Sequence, residues 1–472
     1  MRPARERTHR ISDAEDAYED EYEEETSAKV PECGLGGAPS VSAEPGSLAP
    51  RPVTQSAGFW PLMGYAAALG VFGGFAGLVF LGVIGHGEKW NVDSNPHWLG
   101  GHWWWVAVTA AAGLLVGLLH RLLRVPEQTP GIIAEINTGQ VDARLVPATV
   151  LISAVSLIGG ASLGPEKALG SMGGGAATWI AKRRALGTED SQVNVLSGMA
   201  GAYGGMLSSP VIVVMLLLEV ARPGGNRLTK TLLGTIIASS IGFGVYFAIA
   251  GAVFLGIYKV PHYRFADWQL LAGVLLGWFA GVVVTVLVLF ITLAERLFSR
   301  IPDIARSTLG GVLFGVVGVA LPLTLFTGSA QLKTVLHDAA TLGAGLLAVI
   351  VIAKIFTFAV SQGSGFIGGP IFPSLFIGGT AGVFVHQLIP GVPLGLAFTC
   401  MFAAVPGGLV AAPFTVVLLA AFVSQVGGLQ TAPVLIAVVT TYLTMEGVKY
   451  FVASRKAVPA SKSVADAPEP PR

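Results

Sequence analysis

The sequence predicts an all-α membrane protein with many membrane-spanning segments. Of its 472 residues, 53% are hydrophobic and only 12% are charged, and the mean hydropathy is +0.68. Soluble domains carry about 25% charged residues, so this composition is typical of a polytopic membrane protein. The net charge is only +1 and there is no run of basic residues interleaved with aromatic ones, which argues against a nucleic-acid partner.

Composition divides the chain into three regions. Residues 1–56 are polar, and 11–26 hold nine carboxylates in sixteen positions. Such a charge density cannot bury a core, so we predict a disordered acidic N-terminal tail. Residues 57–453 form the membrane body, and 454–472 form a short polar C-terminal tail with no room for a soluble regulatory domain.

The sequence predicts neither a cofactor nor a cleaved leader. The two cysteines, Cys33 and Cys400, lie in different regions and have no metal-ligand spacing. The first apolar run begins only near Gly58, too far from the N-terminus for a signal peptide. We therefore expect a multi-pass protein of the plasma (inner) membrane, with the lipid bilayer as its surroundings.

Within the body, the apolar runs have uneven lengths. A spanning helix needs about 20 apolar residues, whereas several runs are shorter, several are interrupted by Gly and Pro, and others can hold two segments. A broken helix survives in lipid only where it is buried in protein or lines a watery cavity. This irregularity indicates a transporter or channel. The runs are 57–86, 103–123, 145–163, 191–220, 229–258, 268–294, 307–328, 340–360, 374–388, 391–426 and 432–445.

The body also repeats itself, with halves at about 57–258 and 268–453. An offset of 205 places Gly164-Pro165 on Gly369-Pro370, and an offset of 203 places GGMLSSPVIVVMLL, residues 204–217, on GGLVAAPFTVVLLA, residues 407–420. Transporters are often built from two such halves, with the binding site where their broken helices meet.

A glutamate in the first Gly-Pro motif, SLGPEKALGSMGGG, is the predicted gate. Gly164-Pro165 should end one helix and start another, which puts Glu166 at an intramembrane helix N-terminus. Free N–H groups and the helix dipole make such a terminus an anion site. The Glu166 carboxylate could occupy that site and leave it on protonation. In the alternative, Glu166 only stabilises its helix or pairs with Lys167 or Lys354.

Several motifs together resemble one family. GGASLGPEKALGSMGG is similar to the G(K/R)EGP motif of the CLC chloride channels and proton-coupled chloride transporters. AKIFTFAVSQGSGFIGGPIFPSLFIGG is similar to the later GxFxP motif with its flanks. LSSPVIVVMLLLEVARP resembles the family's Pro-led helix, and PEQTPGIIAEI occupies the place of GSGIPE. The matches run in family order from about Pro126 to Tyr450.

The resemblance implies a homodimer with one pore per subunit, each pore built from two inverted halves. It also implies that the chain is a divergent bacterial member without CBS domains. It implies anion transport, chloride by default, with Glu166 as the gate and protons as candidate co-substrates. The anion-binding positions carried over from the family motifs are Gly131, Ile132, Gly164, Ile371, Phe372 and Tyr450.

Departures from the family pattern leave the mechanism open. Gly131 stands where the family has its coordinating Ser, and Pro370 has no N–H, which leaves Ile371 and Phe372 as the donors. Val220 stands where the antiporters have their inner glutamate, with Glu219 one residue earlier. This departure favours an uncoupled, channel-like pore over a proton antiporter, while Glu219 remains a candidate for a proton pathway.

Alternatives from other classes stay open. An intramembrane hydrolase could use Ser364 with a histidine such as His386, although nothing in the spacing brings the two together. A transporter of another anion, such as nitrate or fluoride, would share all the motifs. A cation transporter is disfavoured, because the proposed sites are helix N-termini with few acids.

Overall fold

The computed structural model describes residues 53–56, 58–93, 103–126, 130–251 and 256–465. Within these ranges the fold consists of sixteen α-helices and two short 3₁₀ turns, with one isolated β-bridge and no named strand. The all-α prediction is confirmed. Of the predicted acidic tail, only 53–56 lie within the described residues, and they include the turn Val53–Gln55.

The helices fall into two successive sets of eight. The first set is α1 Phe59–Asp93, α2 Trp104–Leu122, α3 Ile132–Thr138, α4 Val146–Ile158, α5 Glu166–Arg183, α6 Thr188–Leu207, α7 Pro210–Ala221 and α8 Gly225–Ala250. The second set is α9 Trp268–Phe298, α10 Asp303–Ala320, α11 Ser329–His337, α12 Ala344–Gly363, α13 Ile371–Leu388, α14 Leu394–Val410, α15 Pro413–Ser424 and α16 Thr431–Ala465.

Helix lengths confirm the mixture of membrane-spanning and shorter helices that the uneven apolar runs predict. In the described part of the chain, eight helices are long and apolar enough to cross a membrane, so the protein is a multi-pass membrane protein. The long runs 191–220 and 391–426 each hold two helices, α6 with α7 and α14 with α15. The last helix, α16, continues to Ala465, past the predicted end of the membrane body at 453.

Backbone conformation repeats between the two sets of helices. Ser208 and Ala411, which end α6 and α14, have φ angles of 52° and 55°, and Arg222 and Gln425, which end α7 and α15, have φ angles of 46° and 53°. Left-handed φ angles are uncommon outside glycine. Both pairs are separated by the 203-residue offset read from the sequence, so the repeat extends to the shape of the helix ends.

The two halves meet at their equivalent Gly-Pro motifs. Gly164 and Gly369 form an antiparallel bridge, with Gly164 N donating to Gly369 O (2.8 Å) and Gly369 N donating to Gly164 O (2.7 Å). Reciprocal side-chain bonds flank the bridge, since Ser361 Oγ accepts from Ser162 N–H (3.1 Å) and Ser156 Oγ accepts from Ile367 N–H (3.2 Å). When every residue is replaced by its equivalent in the other half, each of these two bonds becomes the other. A two-fold axis between inverted repeats requires this reciprocity. The residues in these bonds are related by the offset of 205.

Candidate functional site

Helices α5 and α13 both begin at the Gly164–Gly369 bridge, and the carboxylate of Glu166 lies between them. Glu166 is the first residue of α5 and is only 1% exposed. Its Oε1 accepts a hydrogen bond of 3.0 Å from the N–H of Phe372, in the first turn of α13. The side chain therefore takes up one of the free N–H groups that a helix start offers to an anion.

Both glycines of the bridge leave room for this carboxylate. A Cβ atom built on Gly164 would overlap the two oxygens and the carboxyl carbon of Glu166, and one built on Gly369 would overlap Oε2 and the carboxyl carbon. Close approach of the Glu166 side chain, not a left-handed φ, thus leaves no room for a Cβ at these positions while the carboxylate lies there. The carboxylate fills a small space between the two glycines and the start of α13.

A vestibule leads toward this space. It is a cavity of about 690 Å³ whose lining includes Gly131, Ile132, Lys167, Gly368 and Pro370. Its lining does not include Glu166, Gly164, Ile371 or Phe372. The cavity thus reaches Lys167 on α5 and Pro370, the residue before α13, while the buried Glu166 carboxylate is not part of its lining.

The lysine that follows Glu166 is held by α3. Lys167 Nζ lies 2.6 Å from Glu135 Oε1, and both side chains are more than nine-tenths buried. Nζ also donates to the carbonyl of Pro130 at 2.8 Å. Lys167 therefore does not pair with Glu166, and the second suggested partner, Lys354, donates to the carbonyls of Thr324, Leu325 and Phe326.

Tyr203 of α6 completes the cluster, and sequence reasoning missed it. Its hydroxyl donates to the backbone carbonyl of Glu166 at 3.0 Å, and the side chain is 1% exposed. Gly170, one turn along α5, has no room for a Cβ because the Tyr203 hydroxyl and Ile132 lie against it. The one available signal was a lone tyrosine among small residues in MAGAYGGM.

Glu219 lies elsewhere, at the start of α15. Its carboxylate accepts hydrogen bonds from the N–H groups of Phe414 (2.9 Å) and Thr415 (2.7 Å) and from the Thr415 hydroxyl (2.5 Å). Glu219 thus caps a helix of the opposite half, and it does not line the vestibule. Glu219 is thus a helix-capping carboxylate in this structure, and its partners are the first residues of α15.

Tyr450 is not brought to the site. It is 78% exposed on α16 and is absent from the vestibule lining. Because α16 runs without a break from Thr431 to Ala465, no loop folds this part of the chain back toward Glu166. Further back on α16, Glu446 forms a surface ion pair of 2.7 Å with Lys449.

The hydrolase alternative finds no support in the geometry. Ser364 Oγ donates to the Val360 carbonyl at 2.6 Å, and His386 Nδ1 lies 2.7 Å from the Val392 carbonyl. A nucleophilic serine needs a base within hydrogen-bond reach. Each of these two side chains instead contacts a different backbone carbonyl.

The Glu166 carboxylate lies buried between two helix starts, and the vestibule reaches residues beside it. Sequence comparison then assigns the family. The family model described as "Voltage gated chloride channel" matches residues 112–446. The chain belongs to this family, the CLC proteins. Anion transport across a membrane is the class of function that membership gives it.

Relatives and solved structures agree with this assignment. YfeO of Escherichia coli, a protein named for ion transport, is 25% identical over 313 residues, which cover 63% of this chain and 71% of YfeO. A slow cyanobacterial Cl⁻/H⁺ antiporter superposes with a TM-score of 0.72 at 18% identity over 84% of this chain and 98% of its own. A CLC-type fluoride/proton antiporter gives 0.69 at 19% identity over 81% and 95%. These superpositions establish a shared CLC fold.

Proposed function

We propose that this CLC protein moves small anions, chloride by default, along a pathway that the Glu166 side chain closes. The observation that carries the proposal is the carboxylate of Glu166 on the Phe372 amide. A carboxylate held there by backbone N–H groups is itself a bound anion, belonging to the chain. A halide of similar charge can use the same donors once the side chain leaves.

The surroundings suit an anion more than a cation. Two helices, α5 and α13, begin beside the Glu166 carboxylate, and helix starts carry roughly half a positive charge each. Backbone dipoles attract an anion without a full positive charge that would hold it too tightly to leave. The proposed anion-binding groups are therefore the amides of Ile371 and Phe372, with Gly164 making room and Gly131 and Ile132 lining the approach.

We further propose that the protein works as a homodimer. Helices α7 and α15 have twelve residues each, about 18 Å of helix, well short of the roughly 30 Å that lipid tails span. Large apolar side chains on them are exposed, Val211 at 53% and Phe414 at 56%. A second copy of the chain would cover this surface.

The proposal is tested by flux from liposomes that hold the purified protein. Chloride efflux is recorded over a range of pH for the wild type, Glu166→Gln and Glu166→Ala. Protonation removes the charge that binds Glu166 to the start of α13, so wild-type efflux should rise as pH falls. In both variants the charge is absent at every pH, so efflux should be pH-independent.

Two controls accompany the flux experiment. Glu446→Gln changes an exposed carboxylate on α16 and should keep the wild-type pH profile. Nitrate and fluoride replace chloride in parallel runs, because a transporter of either anion would share the same sequence motifs. A wild-type pH response retained in both Glu166 variants would refute the gate, and absence of flux with all three anions would refute the transport proposal.

A further inference from the structure

A second cavity, of about 260 Å³, lies between α9, α10 and α12. All the side chains that line it are apolar, and they include Leu293 and Leu297 of α9, Leu309 of α10 and Phe356 of α12. A cavity lined only by apolar side chains stays dry and takes apolar ligands. The ligand of this cavity must therefore have an apolar part that fits between the three helices.

The cavity faces the lipid. Helices α9, α10 and α12 are all long and apolar enough to span the membrane, and three of the lining side chains, Leu293, Leu297 and Leu309, are 50%, 61% and 43% exposed. Neither α7 nor α15, the helices of the proposed dimer surface, contributes a lining residue. The bilayer, and not a second copy of the chain, therefore supplies what fills the cavity.

Two arginines stand at the end of α9 that lines the cavity. Arg296 and Arg300 are exposed, and neither takes part in an ion pair between described residues. The acidic side chains next to them in the sequence are directed elsewhere, because Glu295 lines the vestibule and Asp303 pairs with Arg306. Both guanidinium groups are thus available to an anionic partner.

Each arginine follows a cavity-lining leucine by three residues. Arg296 follows Leu293, and Arg300 follows Leu297. Residues three apart are neighbours on a helix surface, so each guanidinium lies about one turn nearer the end of α9 than the leucine beside it. A phosphate bound by the arginines would have its apolar chain level with the cavity.

We propose that this cavity binds an acyl chain of an anionic phospholipid whose phosphate lies at Arg296 and Arg300. The acyl chain alone gains little, because lipid tails are as apolar as the leucines that line the cavity. The two arginines add attraction for a negatively charged headgroup. Each basic residue near the membrane surface is expected to raise the affinity for an anionic lipid about five-fold.

The bound lipid would pack behind the wall of the vestibule. On α9, Ile291 and Glu295 line the vestibule, whereas Leu293 and Leu297 line the apolar cavity. Successive residues of a helix are turned by about 100°, which puts these two pairs on different faces of α9. Filling the cavity therefore supports the helix that separates it from the vestibule, so that lipid binding acts on anion flux.

Binding is tested by photolabelling of the purified protein in detergent micelles. The probe is phosphatidylglycerol with a diazirine in one acyl chain, and the labelled peptides are identified by mass spectrometry. Saturable labelling should fall on the cavity-lining parts of α9, α10 and α12. Unlabelled phosphatidylglycerol should compete for it more strongly than unlabelled phosphatidylcholine.

Variants test the cavity and the headgroup site separately. Leu309→Trp fills the mouth of the cavity and should remove the saturable labelling, whereas Val316→Trp, two turns further along α10 and 46% exposed, should keep it. Arg296→Gln and Arg300→Gln should each reduce the preference for phosphatidylglycerol about five-fold. Arg144→Gln, which changes an exposed arginine between α3 and α4, should leave that preference unchanged.

The effect on flux rests on the proposed function and is measured separately. Chloride efflux from liposomes that contain phosphatidylglycerol is divided by efflux from liposomes of phosphatidylcholine alone. This ratio should lie closer to one for Leu309→Trp than for the wild type, and Val316→Trp should give the wild-type ratio. Equal ratios in all three proteins would refute an effect of the lipid on the vestibule.

Three labelling results would overturn the lipid site itself. They are labelling spread over all lipid-facing helices with no excess at the cavity, equal competition by the two lipids, and saturable labelling that survives in Leu309→Trp. The arginine variants change only exposed side chains, so they still test the site if Leu309→Trp fails to fold. A wild type that moves no anion would refute the proposed function and leave the labelling result standing.

Discussion

At the scale of single residues, the site depends on side chains and N–H groups that certain residues lack, as well as on the Glu166 carboxylate. Gly164 and Gly369 carry no side chain where the Glu166 carboxylate lies, and Pro370 carries no N–H, so the donor falls to Phe372. The two halves differ at one decisive position, because the residue equivalent to Glu166 is Ile371. A symmetric framework thus holds a single carboxylate, the proposed gate, between its two helix starts.

A double-mutant cycle tests the packing of that gate. Gly164→Ala should cost about 1–3 kcal/mol of stability, the usual cost of overpacking, because the three nearest atoms to the new Cβ all belong to the Glu166 carboxyl group. In a Glu166→Ala background the same change should cost much less. The measurement is the free energy of unfolding in detergent micelles.

The control for this cycle is Gly343→Ala, where a Cβ meets nothing within 4 Å. It should leave stability nearly unchanged in both backgrounds. Equal costs for Gly164→Ala with and without the Glu166 side chain would show that the carboxylate does not lie against Gly164.

At the scale of helices, prolines and left-handed residues set where segments start and stop. Pro210 and Pro413 occupy the first turns of α7 and α15, where a missing N–H costs nothing. The twelve-residue helices that follow end at Arg222 and Gln425. The start of α15 is then closed by a carboxylate from the other half, Glu219, a contact that ties the two repeats together.

Removing that cap should loosen α15 without touching the gate. Glu219→Ala should cost about 1 kcal/mol, as for other helix caps, and should speed hydrogen exchange at the amides of Phe414 and Thr415. Glu446→Ala, which breaks an exposed ion pair, should cost roughly 0–1 kcal/mol and leave those amides unchanged. Unaltered exchange at α15 in Glu219→Ala would rule out the capping role.

The fold at this scale could be predicted in large part from the sequence. Composition predicted the membrane class, and the offset of 205 paired the two Gly-Pro motifs at which α5 and α13 begin, because local signals such as Pro and Gly decide where helices start. The sequence did not locate Tyr203 or the partner of Glu219. Those contacts join α6 to α5 and α7 to α15. They could not be predicted, because a local sequence pattern does not show which helices pack together.

The carry-over of Tyr450 failed for a related reason. A motif match assigns a role by order along the chain, but whether a tyrosine turns back toward the site depends on a break in the last helix. Here α16 is continuous to Ala465. Composition could not show whether the last helix is broken, since the residues around Tyr450 suit a continuous helix as well as an interrupted one.

At the scale of the whole molecule, two repeats meet at one bridge and place helix starts from both halves beside a single vestibule. In the proposed function, the gate is the Glu166 carboxylate, which competes with the transported anion for the same amides. The vestibule reaches residues adjoining that carboxylate.

The most direct measurement is the anomalous scattering of bromide in crystals of Glu166→Gln grown in a bromide salt, with wild-type crystals in the same salt as the control. In the variant we expect bromide between Gly164, Gly369 and the start of α13, within hydrogen-bonding distance of the Phe372 N–H. In the wild type we expect the Glu166 carboxylate in that place. Bromide bound elsewhere in the variant, with none beside Phe372, would contradict it.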